Sequence, residues 1–443
     1  MPSLRLLPAA AVALGLVSFA GSSAAETPPS AGPKIDLAPE HTEAPPPPKQ
    51  DPIAIGAGRG PEIELVRGLT ERRFRAAESS SSNTSIGGYG EVQVRGLASG
   101  REGETKWSAD VARLVVFVAH SFTNNIRVYT ELELEHSVSC STCGGAFEIE
   151  QAYLDWKLGG DAFALRVGLI LVPMGIVNLV HEPPTFNGVV RPRVETVVIP
   201  STWREIGAGF FGRPTEGLRY ELYGVTALNP KGFSADGLGG GRQNGSFAAA
   251  KAWAVTGRVE YEPLLGLSVS ASGYAGDAGG NAEFYLRDHS RVALSVPVLG
   301  YSFDARFRRA GLEWKILFAE WHLPQSEAMM HTFDAAGGAL FADPLRPVPS
   351  RIRGAYVEGG YDVLRPLGVS HELVPFARLE YYDTQSAVPE GFDRNPTRSV
   401  REYTFGASYR PIPEVAFKAD YQLRNRKLGL DERQINVGLG FMY

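Results

Sequence analysis

From Ile86 to Tyr443 the chain alternates apolar and polar residues again and again, and this period of two limits the fold more than any other feature. Residues 126–135 set Ile126, Val128, Leu132 and Leu134 on one face, against Arg127, Tyr129, Glu131, Glu133 and Glu135 on the other. Residues 415–424 set Val415, Phe417, Ala419, Tyr421 and Leu423 against Lys418, Asp420, Gln422 and Arg424. The segments 301–308 and 434–443 repeat the pattern. Each strand therefore meets an apolar medium on one side and a polar one on the other. About sixteen such segments are readable, near 86–95, 109–119, 125–136, 147–158, 162–172, 203–212, 218–227, 250–262, 265–276, 299–309, 311–321, 353–364, 371–382, 400–410, 414–426 and 432–443.

The connections alternate in length. Gly159-Gly160, 213–217, 262–264 and 411–413 are short, whereas 173–202, 228–249, 277–298 and 322–352 are long. An even number of antiparallel strands, short turns at one end and long loops at the other predict an all-β transmembrane antiparallel barrel with periplasmic turns and outer loops. A propeller would repeat a blade of about 40 to 50 residues, and no such repeat is present. No stretch beyond the first 25 residues approaches the roughly 20 consecutive apolar residues of a spanning helix. At about sixteen strands the lumen holds water rather than a side-chain core.

The N-terminus reads as a secretory signal over residues 1–25: Arg5, an apolar run from Leu6 to Ala20, then Ser23-Ala24-Ala25. Residues 26–85 read as a periplasmic segment that opens with a proline-rich linker, and 86–443 as the barrel. Export agrees with the two cysteines, Cys140 and Cys143, whose spacing predicts a small disulfide loop. Zinc would need more ligands than the nearby His136, so neither metal nor cofactor is expected. A formal net charge of −5 leaves no basic footprint for nucleic acid.

A passive pore needs a constriction and a field across it. The connection 173–202 follows the fifth strand and is unusually apolar for an outer loop, which predicts that it packs against something. Its charged residues, His181, Glu182, Arg191, Arg193 and Glu195, with Arg204 just beyond, are the candidate constriction. Two readings stand together: the arginines attract anions, or they pair with Glu182, Glu195 and Glu205 to hold the loop. The predicted polar faces place Arg113, Arg127, Glu131, Glu133, Arg166, Arg258, Arg306, Arg308, Arg378 and Lys418 on the lining, among many further acids.

Five segments resemble outer-membrane porins of the phosphate-selective O and P type: Gly87-Gly88-Tyr89-Gly90-Glu91-Val92, Glu131 to His136, Val172-Pro173-Met174-Gly175, His181 to Phe186, and Arg191 to Glu195. The resemblance covers roughly 86–443. It implies a sixteen-stranded outer-membrane pore, usually homotrimeric, with an inward third loop, passing small hydrophilic solutes or anions. Phosphate-selective members line their channels with arginine ladders and clustered lysines; this chain has scattered arginines among acids. An envelope-tethering role, suggested by the proline-rich arm, and an outer-membrane hydrolase are the alternatives. No Ser-His-acid motif is recognisable among the eight histidines, so the expectation is a pore and not an enzyme.

Overall fold

The structure, a computed structural model, describes residues 83–443 except 101–103, 138–143, 342 and 344–345. The signal segment, nearly all of the segment 26–85 and the Cys140/Cys143 pair lie outside the described residues. Sixteen strands form one closed antiparallel ring. The first nine are β1 (Thr84–Ser99), β2 (Lys106–Ser121), β3 (Ile126–Glu135), β4 (Phe147–Gly159), β5 (Phe163–Leu171), β6 (Arg204–Thr215), β7 (Leu218–Thr226), β8 (Trp253–Leu264) and β9 (Leu267–Asp277). Two short strands, β10 (Phe284–Tyr285) and β11 (Arg291–Val292), pair with each other inside a long connection. The ring resumes with β12 (Pro297–Arg309), β13 (Leu312–His322), β14 (Arg351–Tyr361), β15 (Glu372–Ala387), β16 (Ser399–Ile412), β17 (Val415–Arg426) and β18 (Glu432–Met442). It closes where β1 pairs with β18.

Every predicted strand is present, and the differences lie at the strand ends, where several strands, such as β1, β2 and β15, run further than predicted. Strands β8 and β16 run past their predicted ends because register shifts at Tyr261/Leu264 and Tyr409/Ile412, next to Pro263 and Pro411, interrupt the alternation without ending the pairing. At one end the hairpins are tight: Ala310-Gly311, both at positive φ (56° and 79°), joins β12 to β13 with the twist that a two-residue turn requires.

The wall is polar within and apolar without. On β17, Lys418, Asp420 and Gln422 are 4%, 5% and 1% exposed, whereas Phe417 is 50% exposed. On β18, Asn436 is buried and Val437 lies open. The outer surface also carries Ile149, Phe303, Ile316, Phe405 and Ile435. Hydrocarbon accepts such a surface, and closure leaves no strand edge with unpaired backbone groups in it. The inner face needs no apolar partner because ions and hydrogen bonds pair its side chains.

Candidate functional site: the loop within the lumen

The connection from Val172 to Trp203 passes through the barrel interior. Its apolar residues Val172, Met174, Ile176, Val177, Phe186, Val189, Val194, Val198 and Ile199 are all buried. Space for it comes from glycines on the inner wall. A Cβ on Gly440 would stand 2.4 Å from Pro183 Cβ, one on Gly438 would stand 2.9 Å from Val189, and one on Gly354 would stand 2.8 Å from Val198. The chain can approach the wall this closely only where no side chain stands in between.

Polar contacts then fix the loop to separate strands. Its first turn is held by Glu195 within the short helical segment Val194–Val198: one carboxylate oxygen accepts from the backbone N–H of Ile176 (2.7 Å) and Val177 (2.6 Å), and the other from the Tyr356 hydroxyl of β14 (2.6 Å). Burial raises the Glu195 carboxyl above its ordinary range, against the pull of these three donors. The middle of the loop is held by Lys418 of β17, whose ammonium donates to Pro183 O (2.5 Å) and Gly188 O (3.0 Å) and lies 3.8 Å from the Phe186 ring centroid. Asp420 accepts from Val189 N at 2.6 Å, Arg410 donates to Asn187 at 2.7 Å, and Asn187 in turn donates to Glu313 and Glu358. Further along, Val194 N donates to Glu380 (3.0 Å) and Trp321 Nε1 to Val198 O (2.9 Å).

The candidate constriction residues do not form one cluster. His181 is buried against β3 and β4, and Glu182 is buried next to it in sequence. Arg191 is buried and donates within the loop, to Ser201 Oγ (3.2 Å) and His181 O (3.3 Å). Desolvation lowers its guanidinium below the ordinary range, and the like charge of Arg113 adds to this. Arg193 is half-buried, and among the described residues its Nε has no hydrogen-bond partner. Arg204 pairs with Glu148 of β4. Among the described residues the expected pairing of the loop arginines with Glu195 and Glu205 does not occur. Glu195 is committed to the donors named above, and Glu205 accepts from Trp203, Thr226 and Gln243. Nearer donors occupy them instead: the loop's own backbone and the Tyr356 hydroxyl at Glu195, and Trp203, Thr226 of the adjacent strand and Gln243 at Glu205.

The lining residues all sit on inner faces. Arg113 meets Glu91 (3.1 Å) and Glu133 (3.6 Å), and Arg166 forks onto Asp155 (2.8 and 2.9 Å) with its face over the Tyr153 ring. Arg258 reaches Asp304, Glu260 and the loop carbonyl of Gly175. Arg306 pairs with Glu260 (2.5 Å), Arg308 with Glu372 (2.9 Å), and Arg378 with Glu358 (3.0 Å) and Glu380 (2.7 Å). Arg127 and Glu131 share the inner face of β3 with Glu133. Between the loop and the β4–β13 side of the wall lies a cavity of about 230 Å³, bordered by Ile176, Leu179 and Phe186 of the loop. Its charged border holds Arg166, Arg219, Arg258, Arg306, Arg308 and Lys315 against Glu221, Glu260, Glu262 and Glu313.

One inward residue escapes the alternation. Glu131 pairs with Gln151 but Leu132 pairs with Ile149, so Glu150 is the extra residue of a bulge. Both Glu150 and Gln151 consequently turn inward, at 0% and 5% exposure. Strict alternation from Asp155 puts Glu150 outside, and nothing in the sequence marks the bulge.

A closed ring of sixteen strands, apolar outside and ionic inside, with the connection after its fifth strand in the lumen, is a transmembrane β-barrel with a porin-like fold. Solved structures agree. OmpF of Salmonella typhi in complex with daunomycin is 13% identical and superposes with a TM-score of 0.54, covering 81% of this chain and 97% of that one. An anion-selective porin from Comamonas acidovorans is 12% identical with a TM-score of 0.51, covering 81% and 99%. At such identities the likeness is one of fold. The chain belongs to the family of an uncharacterised protein of Aquifex aeolicus (strain VF5), to which it is 32% identical over 367 residues, 81% of this chain and 80% of the relative. No family model matches the sequence.

Proposed function

We propose that the protein is an outer-membrane porin, exported by its N-terminal signal, that passes small hydrophilic solutes by diffusion through a lumen narrowed by loop 172–203. The observation that carries this reading is the loop itself: buried within a closed barrel, it leaves open a charged cavity along one wall. Six cationic and four acidic side chains border that space, but Arg166, Arg258 and Arg308 are neutralised by Asp155, Asp304 and Glu372 just behind it, so the border sets a mixed transverse field and any anion preference rests on the arginine side chains that project furthest into the space. The neighbour described as anion-selective and the resemblance to phosphate-selective porins point to such a preference, and the resemblance also suggests a homotrimer. The acids on the border argue for a weak preference rather than a phosphate filter.

Single-channel conductance of the refolded protein in planar bilayers, with reversal potential under a salt gradient and phosphate as blocker, tests this. Stable steps with an anion-directed reversal are expected. Arg306→Gln with Arg308→Gln should lower the anion preference, and so should Arg191→Ala with Arg193→Ala if the loop arginines belong to the filter. A folded barrel that never conducts overturns the porin reading, and a cation-directed reversal overturns the preference.

A further inference from the structure

His181, on the inward loop, is 1% exposed, and among the described residues neither of its ring nitrogens has a hydrogen-bond partner, Nε2 standing only within ion-pair reach of Glu150. An imidazole so placed is costly unless something satisfies it. Its Nε2 faces two fully buried carboxylates, 3.4 Å from Glu150 Oε2 and 3.9 Å from Glu131 Oε1. Glu131 is oriented for this: its Oε2 accepts from Gln151 (2.5 Å) and Tyr129 (3.2 Å), leaving Oε1, which has no hydrogen-bond partner, turned to the imidazole. The Tyr89 hydroxyl donates to Glu150 Oε2 at 3.1 Å, and the Tyr89 ring stands edge-on to His181. Glu150 reaches the group only through the β4 bulge, a device that re-aims a side chain at a working site.

From these contacts we infer a binding site for a divalent transition-metal ion of the zinc class, formed by His181, Glu131 and Glu150. Donor atoms about 2.1 Å from a tetrahedral ion stand about 3.4 Å apart; His181 Nε2 is 3.4 Å from Glu150 and 3.9 Å from Glu131, and all three donor atoms lie within 4.8 Å of one another, so binding an ion would draw the carboxylates slightly inward. One imidazole and two carboxylates are a donor set that zinc accepts, with a fourth position for water. The hydrogen bonds to Glu131 and Glu150 fix the carboxylates as outer partners of metal ligands do. The ion would tie the loop at His181 to β3 and β4, a stretch of wall that the Lys418, Asp420 and Glu195 contacts do not reach.

The test uses the full chain refolded in detergent and stripped with a chelator. Zinc is titrated by calorimetry, and bound metal is counted after gel filtration. One zinc per barrel is expected, with binding at least ten-fold weaker in both His181→Ala and Glu150→Gln and unchanged in His322→Ala, which removes a half-buried histidine elsewhere on the wall. Heat-modifiable mobility confirms that each variant is folded. Visible absorption of the cobalt-loaded unmodified protein is a second readout that needs no variant, and four-coordinate bands are expected. No stoichiometric zinc, absence of cobalt bands, or wild-type uptake by both folded variants would overturn the assignment. None of these readouts depends on conduction, so failure of the porin reading and failure of the metal site are told apart.

Discussion

Replacing Glu195 by alanine should release the inward loop while leaving the barrel intact. The carboxylate serves three buried donors, Ile176 N, Val177 N and the Tyr356 hydroxyl, at 2.7, 2.6 and 2.6 Å. Alanine leaves all three without an acceptor. An orphaned buried donor costs about 1–3 kcal/mol, so the gross loss is roughly 3–9 kcal/mol, which water from the lumen reduces to about 3–5 kcal/mol. Removing the desolvated carboxylate returns some of this, and about 3 kcal/mol is a fair lower figure. At about 1.4 kcal/mol per factor of ten, the ratio of seated to unseated loop falls by roughly two orders of magnitude. Every strand-to-strand hydrogen bond survives, so heat-modifiable mobility should not change. The assay is trypsin cleavage of the folded protein after Arg193, since Pro192 protects the bond after Arg191. Cleavage should be about a hundred-fold faster in the variant, with larger single-channel conductance. Unchanged protection in a folded variant would refute the reasoning and move the anchorage to Lys418 and Asp420.

Other outcomes follow from the same geometry. The Glu195 carboxyl lies above its ordinary value of about 4.5 in the seated loop, so the seated state binds protons more readily. Its contribution is fully present below about pH 4.5 and is lost as pH rises through the raised value; conductance should therefore fall as the pH is lowered from neutral towards 4.5, with the Glu195-dependent part absent in Glu195→Gln. Gly440→Val places a branched side chain where a Cβ already stands 2.4 Å from Pro183, and should destabilise loop seating by about 1–3 kcal/mol, seen as faster cleavage after Arg193. Gly224→Ala, whose Cβ would meet nothing nearer than 3.9 Å, should not. Val437→Arg puts a charge on the outer face in mid-strand and should cost about 2–4 kcal/mol of barrel stability in lipid-bilayer denaturant titration, with little change in selectivity.

The ring was legible in the sequence because lipid and water impose opposite demands on neighbouring residues, and that leaves a period of two in almost every strand. The two-residue strands β10 and β11 leave no such mark. The burial of loop 172–203 was legible in Ile176, Val177, Phe186 and Val189, whose bulk an exposed loop would not carry. Its anchors were not. Asn187 finds Arg410, and Glu195 finds Tyr356, over separations of 223 and 161 residues. Alternation says which side of the wall a residue faces but nothing about which strand it meets across the lumen. Glu150 was hidden for another reason, since one bulge reverses the parity on which the assignment of faces depends.

The inward loop also has a mechanical consequence. It is bonded to Arg258 on β8, Trp321 on β13, Tyr356 on β14, Glu380 on β15 and Lys418 on β17, and His181 lies against β3 and β4. An empty ring of sixteen strands can flatten by shear between neighbours without losing a wall hydrogen bond. A strut fixed at several points around the circumference resists this, because any ellipse that shortens one diameter must stretch or compress the loop. Lateral pressure in a crowded membrane would thus be carried partly by a segment that never touches lipid, and cutting the loop should soften the cross-section before it changes the fold.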